Sequence, residues 1–181
     1  IVFNIMFENN IFKLNISLIL LMSFVNDKDS DNYSTNKEGW KLIEPYIPKD
    51  KIIWSPFYCD GKQKEYFEEM GYNIIHQDKD FFSYTPEYDI IVDNPPFSKM
   101  REICAKLKEL DKPFILITPG ITILSKWFQL LFKDDLQVII PLKRTTFTHI
   151  SNDKKGGYSP PFGTCYMCYK MNLPKDLIFI D

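Results

Sequence analysis

Histidine is scarce in this chain: His76 and His149 are the only two in 181 residues. The four cysteines, Cys59, Cys104, Cys165 and Cys168, are too few and too scattered for a disulfide framework. No His/Cys cluster has zinc spacing, so no metal is expected. Cys165 and Cys168 do form a CxxC, but Thr164 to Tyr169 reads as a strand, where residues three apart face opposite sides. A core strand is therefore expected there, rather than redox or metal use. Long apolar runs are missing as well. The N-terminal stretch IVFNIMFENNIFKLNISLILLMSFV is broken by Lys13, Asn15 and Ser17 and is too short to span a bilayer. It also lacks the basic flank and small-residue cleavage site of a signal peptide. A soluble, intracellular protein with no membrane partner is the expectation. A surplus of positive charge is absent too. The formal net charge is -2, whereas a dedicated duplex binder is usually basic, so any nucleic-acid contact must be a local patch.

The composition that remains is that of an ordinary globular domain, with 45% apolar and 25% charged residues. Residues 1–25 read as an extra N-terminal segment, expected to pack as a helix on the rest, with Met22 an alternative start of the domain proper. Residues 26–181 read as a single domain, opening on the polar stretch NDKDSDN. Helical spacing runs from Glu38 to Tyr46, from Lys62 to Met70, from Met100 to Leu110 and from Leu124 to Phe132. Between these lie short apolar runs at Lys51–Trp54, Tyr72–His76, Tyr88–Val92, Pro113–Thr118 and Leu136–Ile140. Thr164–Lys170 and Leu177–Ile180 are expected to close the sheet, after a long polar loop from Lys143 to Phe162. Unbroken apolar strands alternating with helices predict an α/β fold: a mostly parallel central sheet with helices on both faces.

Three unusual loops follow strands: SPFYCDG from Ser55, QDKDFF from Gln77, and NPPF from Asn94. In an open α/β sheet, ligands bind beyond the carboxyl ends of the strands, where strand order reverses. The three loops are thus expected to converge on one crevice. Gly61 allows close backbone approach, Asp78 is placed to take the hydroxyls of a ribose, and Asp80 with Phe81 could bond and cover an adenine ring. Solvated loop acids are the competing reading of Asp78 and Asp80.

The order PFxxDG, then an acid after the next strand, then NPPF resembles the S-adenosylmethionine-dependent amino-methyltransferases, most of all the DNA adenine-N(6) branch. The likeness spans about Tyr33 to Lys170. It implies a Rossmann-like three-layer methyltransferase fold and S-adenosyl-L-methionine as cofactor. Carried over residue by residue, it implies cofactor binding by Thr35, Pro56, Phe57, Tyr58, Asp60, Gly61, Asp78, Asp80, Phe81 and Asn94. Tyr33-Ser34-Thr35-Asn36 resembles the Y-x-T-P that often precedes the loop, with Asn36 in place of Pro. Ser55 stands where an acid usually meets the cofactor ammonium, and Cys59 where the loop usually has its middle Gly.

NPPF suits methyl transfer to an amine. An exocyclic amine delocalises its lone pair into the ring, and must pyramidalise before it attacks a sulfonium methyl. Two acceptors on its N–H groups, the side-chain oxygen of Asn94 and the carbonyl of Pro95, favour that geometry and carry developing charge. Pro95 and Pro96 stiffen the loop. Phe97 can stack on the base, worth roughly 1–3 kcal/mol. Asn94, Pro95, Pro96 and Phe97 are therefore the candidate catalytic set. Phe97, Arg144 and Phe147 are the candidate substrate contacts, with Lys143, Lys154, Lys155, Tyr158 and Phe162 in the same long loop. The partner expected is nucleic acid, DNA foremost, with target recognition falling to this loop or to a partner subunit. The alternatives are an RNA base amine, a protein glutamine amide, or a degenerate non-catalytic subunit, the last suggested by Ser55 and Cys59.

Overall fold

Short apolar runs alternating with amphipathic stretches build the scaffold seen in the computed structural model, which describes residues 31–150, 160 and 162–181. The 1–25 segment, Met22, most of NDKDSDN, and Lys154, Lys155 and Tyr158 lie outside the described residues. In chain order the elements are β1 (Tyr33–Thr35), α1 (Lys37–Ile43), β2 (Ile52–Trp54), α2 (Lys62–Glu69), β3 (Asn73–Ile75), β4 (Ile90–Asp93) and α3 (Met100–Leu110). They continue with β5 (Phe114–Pro119), α4 (Lys126–Phe132), β6 (Leu136–Pro141), β7 (Phe147–His149), β8 (Thr164–Tyr169) and β9 (Leu177–Ile180).

Seven strands form one sheet in the order β3-β2-β4-β5-β8-β6-β9. All run parallel except β8, which is antiparallel to β5 and β6. The chain steps outward from β2 to β3 and then returns to place β4 on the other side of β2. The order therefore reverses between β2 and β4, and the loops leaving those two strands flank the crevice where such sheets bind ligands.

Both faces of the sheet are covered. On one face Ile91, Phe114, Leu116, Cys165, Met167 and Tyr169 pack under α3 and α4 through Ile103, Leu107, Phe128 and Phe132. On the other, Ile53, Ile90, Val92, Ile115, Tyr166 and Cys168 pack under α1 and α2 through Trp40, Ile43 and Phe67. Cys165 and Cys168 thus lie on opposite faces, as a strand requires, and each is a free buried thiol. Burial pushes the Cys165 thiol up to about 12 and also raises that of Cys168, so neither is a ready thiolate.

Helix ends differ from the periodicity in two places. The first helix stops at Ile43 and tightens into a 3-10 turn at Glu44–Tyr46, because the ring of Pro45 cannot continue an α-helix. Gly120–Leu124 likewise form a 3-10 turn, and α4 begins only at Lys126. A larger departure is that Lys143 to Phe162 is not wholly a loop. Phe147–His149 form β7, which pairs antiparallel with β1 in a small second sheet, Thr35 opposite Phe147. Asn36 fastens this ribbon from its end: its amide donates to Thr146 Oγ1 at 3.0 Å and accepts from Thr148 Oγ1 at 2.6 Å. Runs of three residues are too short to show a period of two, and the pairing joins distant parts of the chain.

Candidate active site

The loop after β2 and the loop after β4 share one carboxylate. Asp93, the last residue of β4, is buried, with a relative exposure of 1%. Its Oδ2 accepts from Ser55 Oγ at 3.0 Å and from the Phe57 amide at 2.7 Å. Its Oδ1 accepts from the Asn94 amide at 2.7 Å. Burial raises the Asp93 carboxyl from 3.8 to about 6, while the imidazole of His76 and the three donors pull it back down. Ser55 is itself wholly buried, so its hydroxyl serves Asp93. A carboxylate from the neighbouring strand thus lies against position 55.

Around that pair the loop takes its shape. Cys59 holds a left-handed φ of 48°, and Gly61 a φ of 76° at the start of α2. The place a Gly61 Cβ would occupy lies 2.8 Å from Tyr58 Oη. Desolvation by the surrounding loop, with the charges of Asp60 and Asp93, pushes the Cys59 thiol up to about 12, although the residue itself is exposed. Tyr58 stacks on His76, ring centroids 5.0 Å apart and planes at 25°. His76 Nδ1–H donates to the Ser55 carbonyl at 2.8 Å, which attaches the end of β3 to the same unit. Asp60 accepts from Ser34 Oγ at 3.0 Å and pairs with Lys62 at 3.1 Å.

A cavity of about 230 Å³ opens against this unit. Of the residues expected from sequence, Asn94, Pro95, Pro96, Phe97, Phe57, Tyr58 and Phe147 line it. A recess of about 10 Å³ beside it is walled by Thr35, Phe57, Tyr58, Asp60 and Asn94 among the expected residues, together with Asp93. The remaining expected residues lie elsewhere. Pro56 is buried beneath the loop and Gly61 caps α2. Asp78 and Asp80 are exposed on the loop after β3, outside both hollows. Phe81 is buried against Trp54 and Phe57, at centroid distances of 5.6 and 5.1 Å. Arg144 donates to the carbonyl of Pro160, which does line the cavity.

Phe162, a candidate of the long loop, and Tyr33, of the segment resembling Y-x-T-P, also line the larger cavity. Asp31, which had no predicted role, lines it too and accepts from the amide and hydroxyl of Ser98 just past NPPF. Gln63 lines the recess and donates to the Val92 carbonyl at 2.8 Å, tying α2 to β4. Position next to an expected motif was the only sequence signal for Asp93. Asp31 and Gln63 carried none, since their roles depend on tertiary approach.

The amide of Asn94 is oriented. Its Nδ2 donates to the Tyr33 carbonyl at 3.0 Å, so β1 sets which way the amide turns. Among the described residues its Oδ1 is buried with no hydrogen-bond partner. That leaves an acceptor in want of a donor beside the cavity. The half-buried Asp60 carboxylate in the adjoining recess and the aromatic walls of the cavity suit a cationic ligand that carries a flat base, so the residues present fit S-adenosylmethionine. Among the described residues no group of three His, Cys, Asp or Glu could hold a metal ion, and no helix is long and apolar enough to cross a membrane.

Comparison with known proteins bears on what this geometry serves. Among solved structures the chain is similar to precorrin-6y C5,15-methyltransferase from Geobacter metallireducens GS-15, with 13% identity, 81% of this chain and 99% of that chain covered, and a TM-score of 0.41. It is also similar to TrmN from Thermus thermophilus, with 11% identity, 72% and 47% covered, and a TM-score of 0.35. No curated protein matches the sequence. Residues 3–158 match the model of the family described as adenine-specific methyltransferase EcoRI. That match takes in β1, the loop after β2 and NPPF together, and the chain belongs to this family of methyltransferases, whose cofactor is S-adenosyl-L-methionine.

Proposed function

We propose that this methyltransferase acts on the exocyclic amine of adenine in DNA, with Asn94 and Pro95 as the paired acceptors and Phe97 as the stacking ring. The observation that carries the reading is the buried, unpartnered Oδ1 of Asn94 beside an aromatic-lined cavity. A buried acceptor without a donor costs about 1–3 kcal/mol, and an incoming amine N–H would recover it. The adenine-specific description of the family supports the choice of base.

When bound, the cofactor supplies an electrophilic methyl group on a sulfonium. The chain's own residues prepare the nucleophile. Asn94 Oδ1 takes one amine hydrogen and the Pro95 carbonyl takes the other, so the nitrogen is drawn out of conjugation. The restricted φ of Pro95 and Pro96 keeps both acceptors aimed before the base arrives. Phe97 and Phe162, with rings 6.2 Å apart and edge-on, offer apolar surface to a base. No general base is needed, because the methylated amine is cationic and releases its proton to water. A base in duplex must leave the stack to reach the cavity. Lys143 and Arg144, both exposed at the start of the long loop, are assigned to phosphates.

Transfer of tritiated methyl groups to separate DNA, RNA and protein pools tests this reading. Label is expected in DNA, on adenine N6. Asn94→Ala is expected to lower transfer by at least a hundredfold while S-adenosylmethionine binding, read by calorimetry, stays within a few-fold. Label confined to RNA or protein, or an Asn94→Ala enzyme of full activity, would overturn it.

A further inference from the structure

We infer that Asp93 is a positioning residue: its carboxylate ties the loop after β2 to the NPPF loop and so sets where the amine acceptor Asn94 sits relative to the cofactor. The inference rests on the methyltransferase reading for its purpose, and on three hydrogen bonds for its substance. Two backbone amides at the roots of different loops, Phe57 and Asn94, point at the two oxygens of one side chain, each at 2.7 Å. The Ser55 hydroxyl adds a third donor at 3.0 Å. Asp93 has no exposure worth the name, so water cannot substitute for any of these partners.

The chemistry of the group makes the tie conditional. An ionised carboxylate only accepts, and here it receives three donors. A protonated carboxyl carries an O–H of its own, which Ser55 can accept by rotating, so both backbone N–H groups keep an oxygen to donate to. Those oxygens no longer carry the charge that strengthens the two bonds. Protonation therefore weakens the hold on both loops without breaking it. The groups facing this carboxyl are few. His76 approaches from the end of β3. Cys59 and Asp60, the latter paired with Lys62, approach from the loop after β2. On the other side β5 opposes Asp93 with Leu116, which carries no charge. Burial places the carboxyl near 6, within reach of ordinary assay conditions.

Asparagine cannot replace it. Its single oxygen can serve one backbone amide, and its NH2 then confronts the other. In Asp93→Asn one loop loses its anchor at every pH. In Ser55→Ala both backbone contacts remain.

The test uses the full chain and two independent measurements. In amide NMR of the free protein, the Phe57 and Asn94 N–H signals are expected to titrate together, with a shared midpoint near pH 6. They should stay still in Asp93→Asn and move as in wild type in Ser55→Ala. Either amide failing to follow the carboxyl would overturn the tie, whatever the protein methylates. In single-turnover methyl transfer, the wild-type rate is expected to rise about tenfold from pH 5 to pH 7, following the ionised fraction of one group near 6. Asp93→Asn should be at least tenfold slower at pH 7, with a flat profile. A residual activity that keeps the wild-type profile would mean a merely structural carboxyl and would overturn the inference. If Asp93→Asn does not fold, the wild-type amide titration alone decides. Wild type that binds no S-adenosylmethionine refutes the proposed function instead, and leaves the amide titration to judge Asp93.

Discussion

Asp93→Asn should gain stability relative to wild type as pH rises from about 4 to about 7, while it loses activity. The Asp93 carboxyl stands near 6 in the folded protein and at 3.8 in the unfolded chain. Between those values the native state holds a proton that the unfolded state has released. Stability therefore falls as pH rises through this window and levels off above it. The full span corresponds to about 3 kcal/mol, and roughly 2 kcal/mol of it is lost between pH 4 and pH 7. The amide sets its NH2 against one backbone N–H at every pH, whereas the neutral acid can give its proton to Ser55, so the variant should melt below wild type at about pH 4. At 2–4 °C per kcal/mol for a chain of this size, the variant should gain about 4–8 °C on wild type from pH 4 to pH 7. Thermal unfolding by circular dichroism, run on both proteins at several pH values, reads the difference and cancels every other titrating group. A constant gap, or a variant that falls behind as pH rises, would refute the reasoning.

Other outcomes follow from the same packing. Phe97→Ala should weaken adenine-substrate binding by about 5- to 150-fold through lost stacking, with S-adenosylmethionine affinity retained, as read by KM for DNA against calorimetry. Gly61→Ala must hold φ near 76° and push its methyl toward Tyr58 Oη; about 1 kcal/mol of stability and a larger share of cofactor affinity should go, measured by denaturant melts and calorimetry. Phe132→Ala removes a fully buried ring that meets Phe114, Phe128 and Tyr169 at 5.0–5.4 Å. It should cost about 3–5 kcal/mol in urea unfolding without changing the pH profile of whatever activity survives.

Much of the scaffold could be read from residue order because the physics behind it is local. Met100–Leu110 carries Ile103, Cys104 and Leu107 at helical spacing, and these are the residues buried on the sheet. The strand after Gly163 shows its alternation in two cysteines that face opposite cores. The loops after β2 and β4 were visible as chemistry: prolines, a glycine and aromatics where strands end. What stayed hidden depends on groups far apart in the chain. The β1–β7 ribbon needs partners that only the finished fold brings together. Asp93 looks like a strand-ending acid until its three donors arrive from two loops. Asp78 and Asp80 were visible as loop acids after a strand, and both are exposed there, outside the two hollows.

The departures from the family pattern can be understood on the same terms. Ser55 brings no charge, but it hands a hydrogen to Asp93, so the carboxylate sits one strand over and reaches both loops at once. Asn36 gives up the stiffness of a proline at φ -67°, a value a proline ring would also hold. In return its amide bonds two threonines flanking and within β7, which keeps β1 in register and the Tyr33 carbonyl in place. That carbonyl orients the Asn94 amide. A side chain at the start of α1 is thus joined, through a ribbon two strands wide, to the amide just past the tip of β4. The orientation of Asn94 rests on the second sheet as well as on the first.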